Sequence, residues 1–151
     1  MSKSTDTPDS ATPDQALGDV TPPSGPIKIF SALGDTMFLH FKSAEDNAIR
    51  IISTDTTLFS LWVFQPSTIL GGYYIKSFTS EMYMHPSENG KNLIAKASKY
   101  IWNVLDAGDG FVYIRQLSYG TFFAVFGGFP TENNYLILRE LTTSRAFKFR
   151  L

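Results

Sequence analysis

Between residues 73 and 104 the chain reads Tyr73-Tyr74-Ile75-Lys76-Ser77, then Tyr83-Met84-His85, then Leu93-Ile94-Ala95, then Ile101-Trp102-Asn103-Val104. These are four short runs of residues that fit a pleated, half-buried surface, separated by polar or glycine-bearing loops. Tyr74-Ile75-Lys76 alternates with the two-residue period of a strand that has one wet face. No helical period of useful length competes with this pattern.

The same four-part unit recurs on both sides. Upstream stand Ile27-Lys28-Ile29-Phe30-Ser31, Phe38-Leu39-His40-Phe41, Ile49-Arg50-Ile51-Ile52 and Leu61-Trp62-Val63-Phe64. Downstream stand Val112-Tyr113-Ile114-Arg115, Phe122-Phe123-Ala124-Val125, Tyr135-Leu136-Ile137-Leu138 and Ala146-Phe147-Lys148-Phe149. The fourth run of each unit centres on a large aromatic, and the spacing pairs Trp62 and Trp102 with Phe147, 40 and 45 residues apart. These three are expected to share one buried layer. The second-run aromatics Phe38, Tyr83 and Phe122 lie 45 and 39 residues apart, so insertions fall in the loops between.

Twelve short strands in three equivalent blocks resemble the β-trefoil superfamily, an all-β fold. The resemblance covers 27–151. It implies a six-stranded barrel built from two strands of each repeat, with the other two forming a hairpin cap. No single repeat could fold alone, because it would present open strand edges and an unburied apolar face.

Residues 1–26 differ in kind, with five prolines, many Ser, Thr and Asp, and no aromatic. Such a segment cannot bury enough apolar area to offset its ordering entropy, so it reads as a disordered tail whose removal leaves stability unaltered. The whole chain of 151 residues is 43% hydrophobic and 15% aromatic, with a formal charge of −1. That balance offers no basic field for phosphate backbones, and nucleic acid is not an expected partner. The absence of cysteine removes disulfides, thiolate metal sites and cysteine nucleophiles together. No stretch reaches the apolar length that spans a bilayer, and the N-terminus lacks a secretory apolar run, so a cytoplasmic location is expected. No cofactor is implied, and a homodimer is compatible with the sequence.

Catalytic motifs are missing, and a non-enzyme is expected. Asp106-Ala107-Gly108-Asp109-Gly110 begins like a calcium loop but lacks the later glutamate, and Asp-Gly is ordinary turn chemistry. Two histidines, His40 and His85, follow the second-run aromatics at the same place in repeats one and two, where repeat three has Ala124. They read either as ligand contacts or as rim-facing, partly solvated side chains. Asn47 and Asn89 lie in the loops that follow, where asparagine serves hydrogen bonding or simply the turn.

Two branches of the superfamily are relevant. The ricin-type lectins, including leaderless fungal ones, place an Asp after the second-run aromatic, an Asn in the next loop and an aromatic platform in each sugar pocket. Here Asn47 and Asn89 match, with Asn133 as the third-repeat candidate, while His40, His85 and Ala124 stand at the Asp position and the Gln-x-Trp signature is missing. Neutral histidine accepts one hydrogen bond where a carboxylate accepts a fork. The mushroom trefoil protease inhibitors bind through variable loops, and Gly127-Gly128-Phe129-Pro130-Thr131-Glu132 offers an apolar tip on a glycine base. Phe129 either presents itself to a partner or folds back. The resemblance therefore implies a carbohydrate-binding lectin using His40, Asn47, His85 and Asn89 toward glycans or glycoproteins. The alternative is an inhibitor that meets a protease with Phe129 and Pro130.

Overall fold

The computed structural model describes residues 17–54, 59–69, 71–117 and 120–151. The strands are β1 (Phe30–Ser31), β2 (Phe38–His40), β3 (Arg50–Ile52), β4 (Trp62–Pro66), β5 (Gly72–Ser77), β6 (Tyr83–Pro86), β7 (Leu93–Lys96), β8 (Trp102–Gly108), β9 (Phe111–Gln116), β10 (Phe122–Val125), β11 (Asn134–Arg139) and β12 (Phe149–Arg150). They follow the expected four-per-repeat plan.

Six of them form a closed ring of antiparallel pairs. β1 pairs β12, β12 pairs β9, β9 pairs β8, β8 pairs β5 and β5 pairs β4. Ile27 and Trp62 close the circle with reciprocal backbone hydrogen bonds of 2.9 and 2.8 Å. The remaining strands make the hairpins β2–β3, β6–β7 and β10–β11. Three joints tie the hairpins together, at Ala48–Ile94, Asn92–Ile137 and the pair of β3 with β11. A six-stranded barrel under a hairpin triplet is a β-trefoil.

Strand register corrects the third member of the aromatic layer. Trp62 faces Ser77, Trp102 faces Gln116, and the residue facing the equivalent Ser31 is Phe149 rather than Phe147. The reason is local: Arg145–Phe147 form a 3-10 turn capped by the Ser144 hydroxyl, which accepts from Ala146 N at 3.1 Å, so the strand begins two residues late. Trp62, Trp102 and Phe149 are fully buried in the main core with Ile29, Leu39, Ile75, Met84, Ile114 and Phe123. Phe147 is buried too, but in a smaller cluster with Leu105, Phe122 and Ala124. Each indole donates to a second-strand carbonyl, Trp62 to Leu39 O at 3.0 Å and Trp102 to Met84 O at 3.1 Å. Phe149 instead meets Phe123 edge to face at 6.2 Å.

The start of the domain also moves. Val20 N donates to Val104 O (2.9 Å), Asp106 N donates to Gly18 O (2.8 Å), and Pro22 is buried. Residues 17–22 therefore run along β8, on the barrel side of the boundary expected at Pro26. The part of the expected tail at 1–16 lies outside the described residues.

Two outcomes are expected in denaturant and thermal melts. Phe149→Ala should cost about 3–5 kcal/mol, with Trp62→Ala and Trp102→Ala costing at least as much because each also strands a buried carbonyl. A small loss for Phe149→Ala would contradict the register. Removing residues 1–22 should lower Tm by several degrees, since two backbone hydrogen bonds at about 1 kcal/mol each and a buried proline are lost. An unchanged Tm would mean that the pairing along β8 contributes nothing.

Candidate functional site

The four residues expected to build sugar pockets do not hydrogen-bond to one another. His40 is 5% exposed on β2, and neither ring nitrogen has a hydrogen-bond partner among the described residues. Burial, then the nearby Arg50 guanidinium, holds its pKa below the ordinary 6.5. Asn47 is tied to the next repeat: its Nδ2 donates to Ala95 O at 2.8 Å, and its own carbonyl accepts from Ala95 N at 2.8 Å. His85 is half-buried, with Nδ1 2.8 Å from Pro86 O and its ring edge-on to Tyr100 at 5.0 Å. Asn89 is exposed, and its Oδ1 accepts from Ser87 Oγ at 2.7 Å and Lys91 N at 2.9 Å. Register adds a further point: Asn47 is equivalent to Lys91, so Asn47 and Asn89 do not occupy matching places.

Phe129 and Pro130 lie on the β10–β11 connection, which begins with a 3-10 turn at Phe126–Gly128. Asn134 Nδ2 donates to both Phe126 O and Phe129 O at 2.9 Å, clamping the loop. Gly127 has φ +63°, and the Phe129 ring lies where its Cβ would be, 2.5 Å away. Only glycine fits there. Phe129 thus folds back on its own loop yet stays 58% exposed, and Phe126 beside it is 54% exposed.

A groove of about 700 Å3 opens at the joint between repeats two and three. Lys91, Asn92, Phe126, Tyr135, Ile137, Leu138 and Arg139 line it. Its volume falls within the roughly 300–1,000 Å3 usual for small-molecule sites. One wall is the alternation of β11, which sends Leu136 and Leu138 inward and leaves Tyr135, Ile137 and Arg139 on the outer face. The other wall is the Ser87–Asn92 turn, fixed by Ser87 N to Asn92 O (2.8 Å), Asn92 N to Ser87 Oγ (3.1 Å) and the Asn89 contacts. Leu138 N donates to Lys91 O at 2.8 Å and seals the joint beneath. Tyr135 is 48% exposed, and the Arg50 guanidinium lies 5.0 Å from its ring centroid. Arg50 also pairs with Asp46 at 3.0 Å, a hydrogen bond that lowers the Asp46 pKa. Sequence reasoning passed over these residues because Tyr135 and Ile137 sit inside a strand pattern. The readable signal was two apolar side chains on its outward face.

Among the described residues no cluster of three His, Asp or Glu side chains could hold a metal ion, and no helix is long and apolar enough to cross a membrane. Neither family models nor curated proteins give a match to the sequence. Solved structures do. The Rhizoctonia solani agglutinin superposes with TM-score 0.77 at 14% identity, over 87% of this chain and 96% of its own. A Macrolepiota procera ricin B-like lectin, solved in complex with lactose, gives 0.73 at 15% identity over 87% and 97%. These lectins share the β-trefoil fold described above. It also occurs as a part of larger proteins: a mosquitocidal holotoxin matches with TM-score 0.77 at 12% identity over 86% of this chain, which spans 17% of the toxin.

Within this β-trefoil, the depressed His40 pKa has a thermodynamic consequence. Unfolded, the imidazole titrates near 6.5; folded, it takes its proton only at lower pH. The unfolded chain therefore binds more protons in that interval, and stability present above the unfolded pKa is lost as pH falls through the folded one. The slope can approach about 1.4 kcal/mol per pH unit for one group. Denaturant melts between pH 7.5 and 5.5 should show it, and His40→Ala, matching Ala124 of repeat three, should flatten it. An unaltered slope in that variant would rule out His40 as the source.

Proposed function

We propose that this protein is a carbohydrate-binding domain and that the groove between repeats two and three is where the glycan lies. The observation that carries the reading is the pair of half-exposed aromatics, Phe126 and Tyr135, rimming a pre-formed groove with polar side chains at its edge. A pyranose has an apolar face and an equatorial rim of hydroxyls. Aromatic rings take the first, and Asn92, Lys91 and Arg139 supply donors for the second. Both walls are fixed by backbone and Asx hydrogen bonds, so little ordering entropy is lost on binding. The fold's occurrence in a lectin solved with lactose agrees with this reading.

On the same reading the asparagines support the site. Asn89 holds the turn that presents Lys91, and Asn47 locks the neighbouring joint. His40 and His85 have no assigned contact with sugar. A second reading draws on the exposed Phe129, clamped by Asn134 and its glycine base: a rigid apolar tip of that kind also suits the cleft of a protease.

A glycan array run beside a protease-inhibition panel separates the two. Glycan binding should weaken about five- to tenfold in Phe126→Ala and in Tyr135→Ala, with little change in Tm because both rings are half in water. Asn47→Ala should lower Tm and leave affinity intact. Stoichiometric protease inhibition that is lost in Phe129→Ala, with no glycan retained, would replace the lectin reading by the inhibitor.

A further inference from the structure

The charge around the groove narrows the class of glycan. Lys91 and Arg139 both line it, and no Asp or Glu does. Neither cation forms an ion pair among the described residues, where the pairs are Arg50–Asp46 and Lys76–Glu81. The Leu138 N to Lys91 O hydrogen bond brings their backbones together: Lys91 stands at one end of it and Arg139 follows the residue at the other. They therefore flank one stretch of the joint, on a chain whose net charge is −1.

The three hairpin joints make the point by contrast. Where repeat two has Lys91, repeat one has Asn47, whose amide is consumed in the tie to Ala95 O. Where repeat three has Ile137, repeat one has Arg50, whose guanidinium is taken up by Asp46 and by the Tyr135 ring. At these other two joints Asn47 and Arg50 are already partnered. At the groove two cations stand over an apolar, aromatic floor, and none of the described lining residues is an anion.

Resting on the carbohydrate reading above, we propose that the groove takes acidic glycans, with a carboxylate-bearing pyranose as its terminal residue. The ring face would lie against Phe126, Tyr135 and Ile137. The carboxylate would accept from the Arg139 guanidinium, which suits a two-oxygen anion by its fork of donors, and from Lys91 as a point charge. Asn92, bridged to Ile137, is left to donate to a ring hydroxyl. Asn89 is a positioning residue: it accepts from Lys91 N and sets the course of the turn.

The experiment titrates the full chain by calorimetry with three probes: lactose, an oligosaccharide ending in glucuronic acid, and a sulfated disaccharide. Binding of the glucuronic-terminated probe at least tenfold tighter than lactose is expected, falling as salt is raised. Arg139→Gln and Lys91→Gln should each remove about five- to tenfold of that preference, with a smaller loss for lactose, whose hydroxyls the glutamine amide can still meet. Asn89→Ala should weaken all three probes together, which a role confined to folding would do only with a fall in Tm. Equal or tighter lactose binding overturns the acidic-glycan proposal and leaves the lectin reading standing. A preference for the sulfated probe overturns the carboxylate assignment, and binding of no probe overturns both proposals.

Discussion

Two backbone hydrogen bonds between Ile27 and Trp62 turn a row of strands into a barrel. Without that closure β4 would be an open edge, and the core around Trp62, Trp102 and Phe149 would face water on one side. With it, the first strand of the domain and the last of repeat one are neighbours, and the ring runs continuously through all three repeats. The indole hydrogen bonds to Leu39 O and Met84 O then anchor the first two hairpins to the barrel wall, and the Phe149–Phe123 ring contact does so for the third. The hairpin triplet is thus held at fixed height on the barrel, and the joints between hairpins become the places where the three repeats meet at the surface.

Threefold architecture does not bring threefold surface chemistry. The repeats share backbone register but differ in what each joint does with its side chains. One joint spends an asparagine on a carbonyl, another stacks Arg50 on Tyr135, and the third is left as a groove whose floor joins the small cluster of Leu105, Phe122, Ala124 and Phe147 through Ile137. The Arg50 joint is also next to the buried His40, whose unpartnered ring is a polar cost that repeat three avoids with Ala124. The missing carboxylate at that position is consistent with recognition lying elsewhere than in the sugar pockets of the ricin type.

The fold was legible because its signal is repeated three times: apolar alternation, loop chemistry and aromatic placement agree, and the strands fall where the runs fell. The errors lie where local chemistry departs from the repeat. Ser144 caps a 3-10 turn that delays the last strand, so Phe149 rather than Phe147 joins Trp62 and Trp102. Leu17 to Pro22 look like linker by composition, yet tertiary pairing with β8 orders them. The candidate groove was not legible, because it is made from residues of two repeats whose proximity depends on the Asn92–Ile137 bridge, a contact that spacing alone does not reveal. Asn89 was singled out by its place in a hairpin loop, and its visible work is on the turn itself.

The central claim is that ligand recognition belongs to the joint between repeats two and three. Backbone amide chemical shifts of the 15N-labelled protein, followed by NMR during titration with a glycan, test it most directly. The account predicts that perturbations concentrate at Lys91, Asn92, Phe126, Tyr135 and Arg139, with Asn47 and His85 nearly still. Perturbations centred on His40, Asn47 and His85, or spread equally over all three repeats, would contradict it.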